Sequence, residues 1–127
     1  MAAKTPEDVD RLFEERVTAG DLDGVLALYE PGATLVLPEG DLTGTDAFQD
    51  STRQMLAARL RLQMKVTKVV RVGEDLAVLY NDWTGSMIGA DGKPTALAGK
   101  AIEVVRRQAD GTWRFIVDDP WARGGES

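Results

Sequence analysis

The sequence of 127 residues contains neither cysteine nor histidine. Without cysteine the chain can form no disulfide, present no thiolate nucleophile and bind no metal through sulfur. Without histidine it lacks the usual general base and the most common metal ligand, and it can hold no Ser-His-Asp or Cys-His catalytic arrangement. Any chemistry would therefore rest on carboxylates, tyrosine, arginine, lysine, amides or bound water. We expect no metal and no cofactor.

Long apolar runs and an excess of positive charge are also missing. No apolar segment approaches the roughly 20 residues that cross a bilayer. The first four residues, MAAK, lack the apolar stretch of a signal peptide, so we expect a cytoplasmic protein without a membrane partner. The net charge of −6 argues against nucleic acid, because phosphate contacts need a basic surface. The length predicts one domain, residues 1–127, with a single core.

Helical patterns occupy most of the first half of the chain. Thr5 can cap a first helix that has Pro6 at its first position, Asp21 can cap a short second helix, and Thr45 can cap a third. Apolar residues recur at helical spacing in each. These residues are Val9, Leu12, Phe13 and Val17, then Val25, Leu26, Leu28 and Tyr29, then Phe48, Met55 and Leu56.

Strand-like patterns dominate the second half. Residues 33–37 predict a buried strand before the third helix. Four antiparallel strands are predicted to follow, at about residues 62–72, 76–87, 95–107 and 112–119. The alternation slips at Val69–Val70, which predicts a β-bulge there. This order of elements predicts the α+β class.

Three segments carry a resemblance to a known superfamily. They are residues 19–24 (AGDLDG), residues 28–34 (LYEPGAT) and residues 110–120 (DGTWRFIVDDP). Together with the order of elements they resemble the nuclear transport factor 2-like superfamily, and especially its small SnoaL-like and ketosteroid isomerase-like bacterial members. The resemblance covers about residues 5–120. It implies a cone-shaped, curved antiparallel sheet wrapped around N-terminal helices (a cystatin-like α+β barrel) that encloses an apolar cavity. It also implies a homodimer formed through the outer sheet face.

The resemblance includes three positions that carry catalysis in ketosteroid isomerases. In those enzymes a tyrosine on the first helix donates a hydrogen bond to the developing enolate. An aspartate at the end of the first strand is the base, and a protonated aspartate before the last hairpin is a second donor. The matching positions here hold Phe13, Leu37 and Glu103. Two of the three roles are lost, so we do not expect steroid isomerisation by that mechanism.

Glu103 and Asp118 are the candidate catalytic residues. If the last hairpin keeps the register of the family, Ala101 and Glu103 face the cavity from one strand, and Ile116 and Asp118 face it from the next. Desolvation would raise the pKa of a carboxyl group there, and proximity would separate the two pKa values. One group would then donate a proton while the other accepts one.

Two aspects of this register have further consequences. It places Trp113 and Phe115 on the outer face, where they would suit a dimer interface. The alternative for Glu103 is that its strand is exposed to solvent. Glu103 would then form a solvated ion pair with Arg106 or Arg107.

The strand predicted at residues 76–87 has two faces, and the pattern does not select between them. Either Asn81 and Trp83 or Tyr80 and Asp82 look inward, because a slip of one residue in the hairpin at Asp91–Gly92 exchanges them. An indole and an amide at a pocket mouth would suit a flat, partly polar ligand.

These arguments predict a small hydrophobic ligand in the cavity. One hypothesis is a cofactor-free SnoaL-like isomerase, cyclase or lyase that uses Glu103 and Asp118 for acid–base chemistry. The other is a non-catalytic ligand-binding or accessory dimerisation domain. The predicted ligand-binding residues are Phe13, Val17, Tyr29, Leu37, Met55, Asn81, Trp83, Ala101 and Ile116.

Overall fold

The computed structural model describes residues 2–124, which form helices packed against one six-stranded sheet. The elements are α1 (Pro6–Ala19), α2 (Leu22–Leu26), β1 (Tyr29–Leu35), β2 (Leu42–Thr43), α3 (Thr45–Ala57), β3 (Arg61–Val72), β4 (Leu76–Ile88), β5 (Pro94–Arg107) and β6 (Trp113–Asp119). The predicted α+β class and the curved sheet around N-terminal helices are confirmed. Within the described residues, no helix is both long and apolar enough to cross a membrane.

Local capping chemistry sets the starts of the helices. The Thr5 hydroxyl accepts the backbone N–H of Asp8 at 3.3 Å, and the Asp8 carboxylate accepts the backbone N–H of Thr5 at 3.2 Å. This capping box confirms the predicted start of α1. Asp21 caps α2 as predicted. The prediction for α3 is wrong by one residue, because Gly44 is the cap and Thr45 is the first helical residue.

The strand order is β2-β1-β6-β5-β4-β3, so the sheet is open, with β2 and β3 at its edges. Strands β3 to β6 are antiparallel, as predicted. β1 pairs with β6 in parallel, however, so the sheet is not antiparallel throughout. β1 also begins and ends earlier than the predicted strand at residues 33–37. Leu37 therefore lies beyond the end of this strand.

A bulge interrupts β3 between Val66 and Lys68, so Thr67 is the extra residue. The prediction of a bulge is confirmed, but its position at Val69–Val70 is wrong. A bulge reverses the alternation of side chains from its own position onward. Its effect on the apolar pattern therefore becomes visible only at Val69, the next residue that packs against the core.

A second bulge, in β6, was not predicted. Val105 pairs with Phe115, whereas Val104 pairs with Val117, so Ile116 is the extra residue. Phe115 is 0% exposed and belongs to the core together with Trp113. The predicted orientations of Trp113, Phe115 and Ile116 are therefore wrong. Because the bulge shifts the alternation by one residue, Phe115 and Asp118 both point inward although they are three residues apart.

Four aromatic rings form the centre of the core. The ring centroids lie 4.8 Å apart for Tyr29 and Phe48, 4.9 Å for Tyr29 and Phe115, and 5.9 Å for Phe13 and Phe115. The Tyr29–Phe48 and Phe13–Phe115 pairs are edge-to-face, an arrangement that is favourable beyond the area it buries. The cluster surrounds the ring of Tyr29 and thereby fixes the position of its hydroxyl group.

Candidate functional site

A pocket of about 330 Å³ opens between α1, α3, β1 and the inner face of the sheet. Apolar and aromatic side chains make up most of its lining, and the C-terminal segment after β6 contributes Pro120 and Trp121. No lysine or arginine of the described residues lines it. The predicted residues that line the pocket are Phe13, Tyr29, Leu37, Met55, Trp83, Ala101, Glu103 and Asp118.

Three of the predicted ligand-binding residues do not line this pocket. Val17 is buried in the core one turn beyond Phe13 along α1. Asn81 is 0% exposed and is enclosed by polar neighbours, away from the lining. Ile116 is the extra residue of the β6 bulge, which turns it away from the inner face.

The register of the β4–β5 hairpin decides which face of β4 looks inward. Trp83 pairs with Gly99 and Asn81 pairs with Ala101, so Tyr80 is on the outer face. The Trp83 indole N–H donates to the Pro120 carbonyl at 2.8 Å. A Cβ at Gly99 would lie 2.6 Å from the indole nitrogen, so only glycine leaves room for this ring.

Sequence reasoning missed several residues of the site. Leu62 and Met64 of β3 line the pocket, although their alternation suggested only a half-solvated strand. Trp121 lies in the segment after β6, whose sequence has no helix or strand pattern, and its ring centroid is 5.5 Å from that of Trp83. Asp10 is a buried carboxyl group on α1. Its position two turns before Val17 places it on the buried face, and this signal was available in the sequence.

Three buried carboxyl groups lie near the inner wall of the pocket, which Glu103 and Asp118 line and Asp10 does not. Glu103 and Asp118 are cross-strand partners on β5 and β6, and they are 2% and 6% exposed. The Tyr29 hydroxyl donates to Asp118 Oδ2 at 2.7 Å. Asp10, also 2% exposed, lies beside Glu103 on the side of α1, close enough for a hydrogen bond between the two carboxyl groups when one of them is protonated. The Asn81 amide donates to Asp10 Oδ2 at 3.0 Å.

Burial raises the pKa of all three carboxyl groups, because it disfavours the charged form. It raises the pKa of Asp118 to about 7, although the hydrogen bond from Tyr29 acts in the opposite direction. Burial, followed by the negative charges of Asp10 and Asp118, raises the pKa of Glu103 well above its ordinary value. Burial also raises the pKa of Asp10, partly offset by its neighbours Glu103 and Asn81.

The arginines that could have neutralised Glu103 are engaged elsewhere. Arg106 Nε lies 2.8 Å from Glu30 Oε2, and Arg107 Nη2 lies 2.6 Å from Asp75 Oδ1. The alternative of a solvated ion pair at Glu103 is therefore wrong. Within residues 2–124, no three ligand-type side chains are placed to hold a metal ion. The arrangement can retain, release and accept protons in an apolar environment.

Comparison with known proteins identifies this architecture. A model of the SnoaL-like domain matches residues 9–116. No curated protein matches the sequence. Among solved structures, a protein from Thiobacillus denitrificans named for the association domain of calcium/calmodulin-dependent protein kinase type II is 29% identical, with a TM-score of 0.72, over 94% of this chain and 98% of that chain.

Two further solved structures have lower identity and show the fold alone. A ketosteroid isomerase-like protein from Erwinia carotovora atroseptica is 19% identical, with a TM-score of 0.79, over 89% of each chain. A nuclear transport factor 2-like superfamily protein from Salmonella enterica is 14% identical, with a TM-score of 0.74, over 94% of this chain and 86% of that chain.

Proposed function

We propose that this chain, which belongs to the SnoaL-like domain family within the nuclear transport factor 2-like superfamily, binds a small hydrophobic molecule and transfers protons on it. The fold of the family suits a ligand-binding or isomerase-type domain in general. One observation carries the catalytic proposal: Glu103 and Asp118 line the same apolar pocket, and no arginine or lysine of the described residues lines it. The expected reaction class is an isomerisation, cyclisation or dehydration through an enolate, without a cofactor.

Asp118 suits the role of general base. With a pKa of about 7, it is partly ionised near neutral pH and can take a proton from a carbon next to a ligand carbonyl. The hydrogen bond from Tyr29 orients its carboxylate. The proton that Asp118 takes returns to the ligand at another carbon, so the reaction needs no oxidant or reductant.

Glu103 suits the role of the acid. Burial and the nearby negative charges raise its pKa well above the ordinary value for a glutamate, which favours the protonated form that can donate a hydrogen bond to the ligand oxygen as negative charge develops there. A low-dielectric, water-poor pocket strengthens that interaction. At about 330 Å³, the pocket lies near the lower end of the range for small-molecule sites, which favours a compact ligand.

The second candidate function is a non-catalytic ligand-binding or accessory domain. Phe13 and Leu37 favour it, because they occupy the donor and base positions of the related isomerases and have no proton to exchange. The Thiobacillus denitrificans protein, named for an association domain, is also consistent with it. Both functions would use the same pocket, so binding alone does not separate them.

Deuterium exchange on model carbonyl compounds separates the two functions. We expect the wild-type protein to accelerate exchange at the acidic C–H positions of small cyclic enones and aryl ketones in D₂O, followed by ¹H NMR. Asp118→Asn should reduce the rate at least about 100-fold, because removal of a general base typically costs that much. Exchange should rise as Asp118 ionises, with a midpoint near pH 7.

Glu30→Gln is the matched control, because Glu30 lies on β1 and pairs with Arg106 on the surface. It should exchange at the wild-type rate. A compound that quenches the fluorescence of Trp83 and Trp121 without exchanging would favour the accessory domain. If no compound in the set either binds or exchanges, the proposed function is wrong.

The partner that we propose is a second copy of the chain, bound through the outer sheet face. One row of valines crosses four neighbouring strands on this face, and each of them is half-buried. The row consists of Val70, Val78, Val104 and Val117. Charges of both signs, including Asp82 and Lys100, lie farther along the same face, so the surface can be complementary to itself across a twofold axis.

We expect light scattering after size exclusion to give twice the chain mass of 13.8 kDa. Val104→Lys should give the monomer mass, because it places a charge in the middle of the apolar row. Thr84→Lys, at an exposed position of β4 on the same outer face of the sheet, should remain dimeric. A wild-type protein that is monomeric at micromolar concentration would contradict this interface.

A further inference from the structure

Asp10 is a buried carboxyl group that the proposed function does not use. It lies on α1, outside the pocket lining, and its Oδ2 accepts the Asn81 amide at 3.0 Å. Its other oxygen, Oδ1, is enclosed and has no hydrogen-bond partner. Oε1 of Glu103 and Oδ1 of Asn81 are enclosed and unpartnered in the same way.

All three unpartnered atoms are acceptors when the carboxyl groups are ionised. An enclosed acceptor without a partner costs free energy, and two adjacent carboxylates in a low-dielectric site repel each other. A proton placed between Asp10 and Glu103 removes both penalties, because it gives two of the three oxygens a partner and reduces the charge of the pair. The proximity of Asp10 therefore favours a protonated Glu103 beyond the effect of burial alone.

We propose that Asp10 and Glu103 share one proton, so that Asp10 is the positioning residue that keeps Glu103 protonated from the side of α1. The acid of the site is then a pair of carboxyl groups that joins α1 to β5. Its role in catalysis rests on the proposed function, but the shared proton does not.

The groups around the pair act mainly to retain the proton. Glu14, one turn along α1, adds negative charge that raises the pKa of Asp10. Asp118 on β6 adds negative charge that raises the pKa of Glu103. Tyr29 on β1 has a pKa raised well above its ordinary value by burial and then by Asp118, so it stays neutral. The Asn81 amide on β4 opposes this trend by lowering the pKa of both carboxyl groups.

The test is a pH titration of the intact protein labelled with ¹³C at the Asp and Glu carboxyl carbons. In the wild type we expect Asp10 and Glu103 to shift over the same pH ranges, as two groups that share a proton do. In Asp10→Asn, the midpoint of Glu103 should fall by about one pH unit or more, because both the negative charge and the charged acceptor are removed. Asparagine keeps the shape of the side chain and can still accept the Asn81 amide.

Glu15→Gln is the matched control on the same helix, because its side chain is 59% exposed. It should leave the midpoint of Glu103 unchanged. In Glu103→Gln, which serves if Asp10→Asn does not fold, Asp10 should titrate in a single step. An unchanged Glu103 midpoint in Asp10→Asn, or a Glu103 that is ionised at pH 6 in the wild type, would overturn the shared proton. Deuterium exchange that fails while the joint titration persists would remove only the catalytic role.

Discussion

Phe115→Ala is expected to lower the free energy of unfolding by about 3–5 kcal/mol, the usual cost of truncating an enclosed phenylalanine. The Phe115 side chain is 0% exposed, and its ring packs against Phe13 and Tyr29. The neighbouring residues cannot fill the resulting cavity without moving the aromatic cluster. Urea denaturation followed by tryptophan fluorescence measures the loss.

Ile116→Ala is the matched control, one residue along the same strand. Because Ile116 is half-buried and, as the extra residue of the β6 bulge, is turned away from the inner face, its truncation should cost about 1 kcal/mol. A regular strand would give the reverse order, since Ile116 would then be inside and Phe115 outside. Equal losses, or a larger loss for Ile116→Ala, would show that β6 lacks the bulge.

Asp118→Asn is expected to stabilise the protein at pH 8 by on the order of 3–4 kcal/mol, although it removes the proposed base. Burial raises the pKa of Asp118 from 3.8 to about 7. A group with a raised pKa contributes its stability fully below its unfolded pKa and loses it as pH rises to the folded pKa. The wild type therefore carries the cost of the buried charge above pH 7, whereas asparagine does not. The gain should vanish near pH 4, which urea denaturation across pH 4–8 would show.

Glu30→Gln is the control of opposite sign. A hydrogen bond from Arg106 is the main cause that lowers the pKa of Glu30, so its stability is present above its ordinary pKa and lost as pH falls. Because the Arg106 side chain is half-exposed and water screens the pair at the surface, its removal should cost less than about 1 kcal/mol at pH 8. An Asp118→Asn variant that is destabilised at pH 8, or whose gain is the same at pH 4, would contradict the assignment of a buried, high-pKa carboxyl group.

Elements set by neighbouring residues were predictable. The Thr5 cap depends on a contact only three residues away, and the turns at Gly73, Gly92 and Gly111 need only a positive φ. Because the interacting residues are close in sequence, the local sequence is sufficient to predict these caps and turns. The α+β class followed from the order of these elements and is confirmed by the structure.

The wrong predictions concern strands in which one extra residue reverses the orientation of every side chain that follows it. The sequence of β6 alone does not show that Ile116 is the bulged residue. Phe115, Ile116 and Val117 are all apolar, so no alternation marks which of them points inward. The partner strand decides this, through the pairs that Val104 and Val105 make. The same limit applied to β1, whose parallel pairing with β6 joins segments far apart in the chain.

By itself, the sequence determined the chemistry available to this protein. It has no histidine or cysteine, so carboxyl groups are left to carry acid–base work. Only the tertiary structure decided which carboxyl groups meet, because Asp10, Glu103 and Asp118 lie on α1, β5 and β6 and are brought together by packing and register. The apolar surroundings that raise their pKa values come from the same packing, since desolvation depends on neighbours in space rather than in sequence.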